Sequence, residues 1–303
     1  MLYALNGSKP ESVQPGDAVQ GGGQHFGFYA AEEAAQVLAV FGLDEKPLRD
    51  AIGHPAMTFE SHEGFDFFSV ADIRHKTQRT RPVRTYVYLR KDLVLMFCDH
   101  ASEVEKVRAE MESATHVSFD RLLVNFFERL TADDAGQLEK IEQEISALED
   151  ALITSKKRDC VKEIISLRKW LMAFKRYYEQ MLFVLDELQE NESGVVPAGA
   201  LRYFRIYGGR VDRLYHSVLN LRDYVTQVRE AYQAEVDIGL NNIMKLFTVL
   251  TAVFMPLTLL VGWYGMNLRM PEFGWEYGYP VVIAAAVLIV VCCLLIFKRK
   301  KWF

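Results

Sequence analysis

The spacing of apolar residues changes character along this chain, and each change marks a different kind of element. Short runs rich in aromatic and β-branched residues predict strands over 25–29, 57–60, 65–72, 83–89 and 93–98. Helical periodicity over 30–41 and 44–52 separates the first strand from the others. Ser102, with Glu105 three residues on, reads as a capping box that opens a helix to about Ser113. Residues 7–23, with three glycines at 21–23, are turn-rich, and 74–84 reads as a basic exposed loop. Residues 1–117 together predict a mixed α/β domain.

From Ser118 the period lengthens to that of a helix. Leu122, Phe126, Leu130, Leu138, Ile141, Ile145, Leu148 and Leu152 predict one long helix over about 117–159, with Glu139, Lys140, Glu142 and Glu144 between its apolar positions. A second helix is expected over 160–191. The stretch ESGVVPAG at 192–199 interrupts the pattern, which resumes through Tyr203, Ile206, Val211, Leu214, Val218, Leu221, Tyr224, Val225 and Val228. Gly208-Gly209 weakens it by roughly 1 kcal/mol per glycine relative to alanine. A continuous helix over about 201–264 would reach on the order of 95 Å, so 118–240 is assigned to a long-helix stalk. A separate three-helix bundle is the alternative.

The apolar density then rises to that of a membrane span. Between Ile243 and Trp263 only Lys245 is charged, and that length makes roughly 30 Å of helix, enough to cross a bilayer core. At about 100° per residue, Asn241, Met244, Thr248, Thr251, Met255, Thr258 and Gly262 fall on one face, and Leu246, Leu250, Val253, Leu257 and Val261 on the other. Polar groups are costly in hydrocarbon, so the mixed stripe should face protein or water. The bland reading is that the threonines bond back to their own backbone and the small residues mark helix packing. The first span is set at 241–264, an external loop at 265–278, a second span at 279–297 and a basic tail at 298–303. Basic residues beside a span stay in the cytosol, so both termini are expected inside. Two helices cannot enclose an aqueous path, so a wet stripe requires several copies around an axis.

Composition narrows the function. Half of the 303 residues are apolar while mean hydropathy is near zero, as expected of a large soluble part joined to a small membrane part. The first residues have neither a basic nor an apolar signal region, so no cleavable leader is expected. Lys298, Arg299, Lys300 and Lys301 carry +4 of a net charge of −5, leaving −9 for the rest. Nucleic acid is therefore not expected as a partner. Cys98, Cys160, Cys292 and Cys293 have neither zinc nor redox spacing. No phosphate loop, metalloprotease helix or nucleophile elbow occurs, so no enzyme activity is expected.

Four stretches in order carry a family likeness: MPLT at 255–258, YGMN at 264–267 closing the first span, MPEF at 270–273, and the terminal KRKKWF. They resemble the CorA-type divalent-cation transporters. The resemblance implies an α/β N-terminal cytosolic domain, a long α-helical stalk and two transmembrane helices in a funnel-shaped homo-oligomer, a homopentamer. It implies that the first span lines the pore and that Mg2+, with Co2+ and Ni2+ as further cargo, crosses hydrated or partly hydrated. Gly265, Met266, Asn267 and Glu272 would form the ion entrance. Asn241, Met244, Phe247, Thr248, Thr251, Met255, Thr258 and Gly262 would line the path, Phe247 being placed there by the resemblance. Magnesium sheds water reluctantly and prefers oxygen ligands, so a ring of neutral Asn267 amides could hold the ion through its water shell. Met244, Phe247 and Met255 could form an apolar gate.

Family members commonly close when cytosolic Mg2+ bridges acidic groups of neighbouring subunits. By register this chain has His216 where an acidic residue is expected, with Asp212 and Glu230 as regulatory metal candidates; a histidine favours softer metals. Two alternatives stay open at this point. One is a zinc transporter of the same family; the other is a membrane-anchored coiled-coil scaffold.

Overall fold

A computed structural model describes residues 1–5, 9–20, 22–72, 83–114, 117–153, 160–267, 274–300 and 302. It divides into two compact units, 1–151 with 157–226, and 227–303 with 152–156.

The first unit is built on a seven-stranded mixed sheet. The strands are β1 (Leu2–Ala4), β2 (Glu11–Val13), β3 (His25–Ala30), β4 (Phe59–His62), β5 (Phe65–Asp72), β6 (Val83–Arg90) and β7 (Leu93–Cys98). Their order is β2-β1-β3-β7-β6-β5-β4. Only β3 and β7 pair in parallel, His25 opposite Leu93. The central strands are buried nearly from end to end, as expected of a sheet covered on both faces. On one face α2 (Ala34–Phe41) and α3 (Lys46–Ala51) bury Val37, Leu38 and Leu48 against Phe67, Tyr88, Leu95 and Phe97. On the other, Phe68 stacks on Phe127 with ring centroids 6.0 Å apart; Phe127 belongs to α5 (Phe119–Leu130).

Three local expectations change. The turn-rich start contains β2 and the short helix α1 (Pro15–Gln20), both too brief for periodicity to reveal. The helix α4 (Ala101–Ser113) starts two residues earlier than a Ser102 cap requires. His100 holds the cap position in extended backbone and no side chain caps it. The single helix expected over 117–159 is two, α5 and α6 (Asp134–Ile153). Thr131 departs from helical backbone, at φ −115° and ψ 11°. Fully buried there, Thr131 and Asp134 meet tyrosines. Tyr178 donates to Asp134 Oδ2 at 2.9 Å and the Tyr207 hydroxyl lies 3.0 Å from Thr131 Oγ1. Of the expected basic loop, all but Val83 and Arg84 lies outside the described residues.

The helices α7 (Val161–Glu190) and α8 (Ala198–Tyr264) complete this unit. Asn191 turns the chain between them in a left-handed conformation, φ 50°, and its side chain accepts the Val196 amide at 2.9 Å. Ser193 in the same turn donates to buried Asp66 of β5 at 2.8 Å. Gly208-Gly209 lies within unbroken helix, and a side chain at 208 would approach Gln189 Nε2 at 3.2 Å. The second unit holds the rest of α8, from Gln227, and α9 (Gly278–Arg299). Both helices are long and apolar enough to cross a membrane.

Candidate cation pathway

Within the second unit, every stripe residue predicted from the sequence is exposed on the single chain: Asn241, Met244, Thr248, Thr251, Met255, Thr258 and Gly262. Exposure reaches 64% at Met244 and 67% at Met255. The covered side of α8 is elsewhere. Val249 is only 7% exposed, and Lys245, Ala252, Val253, Pro256, Leu257 and Leu260 are half-buried. At 100° per residue this covered face is centred about 140° from the stripe. On α9 the half-buried positions are Gly278, Val282, Ala285, Ala286, Ile289, Val290, Cys293 and Phe297, again a helical spacing. The two faces meet where Cys293 Sγ donates to the Ala252 carbonyl at 3.7 Å.

Pro256 lies inside α8. Having no amide hydrogen, it cannot serve the carbonyl four residues back, which is that of Ala252. The sequence reading gave neither Pro256 nor Cys293 a role. A proline within a span and a donor-bearing residue in the facing span are the signal that was available.

The threonine hydroxyls are committed locally. Thr248 donates to the Met244 carbonyl and Thr258 to the Phe254 carbonyl, each at 2.8 Å. The bland expectation of backbone bonding is thus met at both, yet both stay on the exposed face. A hydroxyl whose proton is held by its own helix offers only lone pairs outward. Such a surface accepts hydrogen bonds and repels none of the charge of a cation. Thr251, Phe254, Met255, Thr258, Gly262 and Met266 border one open, mostly apolar groove. Phe247 is also exposed, at the margin of the stripe.

The helix ends tightly. The Gly265 amide donates to Val261 O at 2.8 Å and the Met266 amide to Trp263 O at 3.3 Å, a contraction of the last turn. A methyl group on Gly265 would stand 2.9 Å from the Val261 carbonyl oxygen. Glycine therefore suits this turn sterically. Asn267 follows and is exposed. Glu272 lies outside the described residues; Glu276, beyond it, is exposed.

The regulatory candidates all lie on α8. In the first unit His216 Nε2 is 3.7 Å from Asp212 Oδ1 across one helical turn, both well exposed. Glu230 belongs to the second unit. Among the described residues no group of three or more potential metal-ligating His, Cys, Asp or Glu occurs. Nearby, the Lys175 ammonium holds the Glu179 carboxyl below its usual range, against a small burial effect, and Tyr215 donates to the same carboxylate at 3.0 Å.

Residues 27–301 match the family described as CorA-like Mg2+ transporter protein. The cobalt/magnesium transport protein CorA of Thermotoga maritima is 27% identical over 285 residues, covering 91% of this chain and 81% of that protein. Among solved structures, the complete CorA magnesium transporter from Methanocaldococcus jannaschii matches with a TM-score of 0.77 at 20% identity, over 100% of this chain and 99% of that one. The cytoplasmic domain of ZntB from Vibrio parahaemolyticus matches with a TM-score of 0.63 at 12% identity, over 78% of this chain and 97% of that one. At these identities the two structures speak to the fold alone.

Proposed function

The chain belongs to the CorA-like Mg2+ transporter family, a family of membrane transporters for divalent cations, and we propose that it imports Mg2+ through the central pore of a homopentamer. Co2+ and Ni2+ are the further cargo. The observation that carries this reading is the bare stripe. One face of α8 is partly covered and meets α9 where Cys293 reaches Ala252, while the face bearing Asn241, Thr248, Thr251 and Thr258 stays open in the single chain. In hydrocarbon that face would leave the Asn241 amide and the outward threonine lone pairs without donors, so it belongs against water and neighbouring copies of itself.

The mechanism follows from the donor set. Mg2+ arrives with its water, which it gives up slowly. Asn267 amide oxygens from several subunits accept hydrogen bonds from that water shell, and being neutral they let the ion go. Below them the outward lone pairs of Thr258, Thr251 and Thr248 repeat the same offer, ending at Asn241. Met255, Met244 and Phe247 supply rings of apolar surface where the column of water can break, which closes the path without a charged plug. Glu272 and Glu276 raise the cation concentration at the mouth. The basic tail after α9 keeps the C-terminus cytoplasmic, and two spans return the N-terminal unit to the same side. His216 and Asp212 offer one nitrogen and one oxygen, an incomplete site that a neighbouring subunit would have to finish, and one better suited to Ni2+ or Co2+ than to Mg2+.

The test is ion uptake into proteoliposomes with Mg2+, Co2+, Ni2+ and Zn2+ offered separately. Wild-type protein should carry Mg2+, and Asn267→Ala should lose most of that flux while eluting at the same oligomeric size. Uptake of Zn2+ alone would replace the magnesium reading with zinc transport. Unchanged flux in Asn267→Ala would remove the amide ring from the mechanism.

A further inference from the structure

Pro256 leaves the Ala252 carbonyl without its intrahelical amide, and no side chain on the next turn replaces it. The positions three and four residues on are Met255 and Pro256, neither of which carries a side-chain donor. Two hydroxyls on α8 a turn or more away are spent elsewhere: Thr248 on Met244 and Thr258 on Phe254. The donor comes from α9, where half-buried Cys293 places its thiol 3.7 Å from the orphaned oxygen. Its neighbour Cys292 is exposed. Spans tolerate an internal proline when a neighbouring helix serves the freed backbone group. A thiol is a weak donor, so the contact holds without locking.

The location gives the contact its consequence. Pro256 immediately follows Met255 and precedes Thr258, so it divides the stripe into an inner half, Asn241 to Met255, and an outer half, Thr258 to Asn267. Prolines are where helices bend. We propose that Cys293 is a positioning residue for the conduction helix: its thiol stands in for the amide that Pro256 lacks, and ties the hinge between the two halves of the stripe to α9. The assignment of the stripe to conduction rests on the function proposed above; the bond itself does not.

Infrared spectroscopy of the full-length protein in liposomes tests the bond, because the S–H stretch falls in a window free of other protein bands. The wild-type minus Cys293→Ala difference isolates the Cys293 band. It should lie below the position of a free thiol, and should move back toward it in Pro256→Ala, where residue 256 supplies its own amide to Ala252. Mg2+ uptake tests the role. Cys293→Ala and Cys293→Val should both change the flux by about threefold or more, although valine refills the volume, and the same changes should have no effect in the Pro256→Ala background. A wild-type band at the free-thiol position would overturn the proposal, as would equal flux effects with and without Pro256. If the band behaves as expected while the wild-type protein carries no cation, the bond stands and the conduction reading fails.

Discussion

Single residues would decide the mouth of the proposed pathway. With a methyl only 2.9 Å from the Val261 carbonyl, Gly265→Ala should force the last turn to open and displace Asn267. We expect Mg2+ uptake to drop at least as far as in Asn267→Ala, with thermal stability nearly unchanged, since the position is exposed. Tyr207 is the opposite case. It is 2% exposed, donates to Phe127 O at 2.6 Å and lies against Thr131. Tyr207→Phe orphans those partners and should cost about 1–3 kcal/mol, read as a lower urea midpoint with little change in flux per folded oligomer. Asp66 predicts a pH effect. Burial raises its carboxyl above the ordinary value, against opposing hydrogen bonds from Ser193 and Ser61. The folded chain therefore binds this proton more tightly than the unfolded one. Asp66 contributes stability that is present below the ordinary carboxylate range and is lost as pH rises through its raised folded value. The stability difference between wild type and Asp66→Asn should fall across that window and level off above it. Gly265 and Asn267 could be singled out in the sequence because they sit in a motif at the end of an apolar run. Tyr207 and Asp66 were not, because their partners lie 80 and 127 positions away in sequence.

At the scale of elements, α8 was the easiest to foresee and its neighbours the hardest. Its apolar period runs through Gly208-Gly209, and two glycines cost too little to break a helix held by Phe204, Tyr207 and Val211 in a buried core. The break between α5 and α6 escaped notice because Leu130 and Leu138 keep a helical spacing across it; buried tyrosines fix the corner, and periodicity is blind to them. The exposed face of the membrane segment was legible from its threonines. Its covered face was not, because Ala252 and Pro256 contribute backbone and closeness rather than side chains. If the threonine oxygens serve as acceptors, Thr258→Val should lower Mg2+ uptake by about tenfold, the worth of one hydrogen bond of about 1.4 kcal/mol. Thr258→Ser should retain it. Equal losses in both would mean that shape matters there and the oxygen does not.

For the whole molecule, the telling feature is the stretch of α8 from Arg229 to Thr248, where every residue but Tyr232 and Lys245 is exposed on the single chain. Val236, Ile238 and Leu240 stand bare among Glu235 and Asp237. Leu240→Cys, lightly oxidised in the membrane, should give disulfide-linked dimers, and an amine-reactive bifunctional reagent, which can use several lysines of each subunit, should give a ladder ending at five. Bands confined to the monomer would oppose the assembly proposed above. The number of copies was not legible, because one chain encodes one face of an interface and the closure angle is a property of the ring.

That bareness also reaches into heredity. In the assembly proposed above, each ring would be a lottery drawn from whatever copies the cell is translating. In a ring of five drawn equally from two alleles, only about one in thirty-two contains no defective member. A Gly265→Ala allele beside an intact one should therefore behave as dominant, cutting uptake far below half. Titrating the two plasmids against each other and measuring flux would count the subunits genetically.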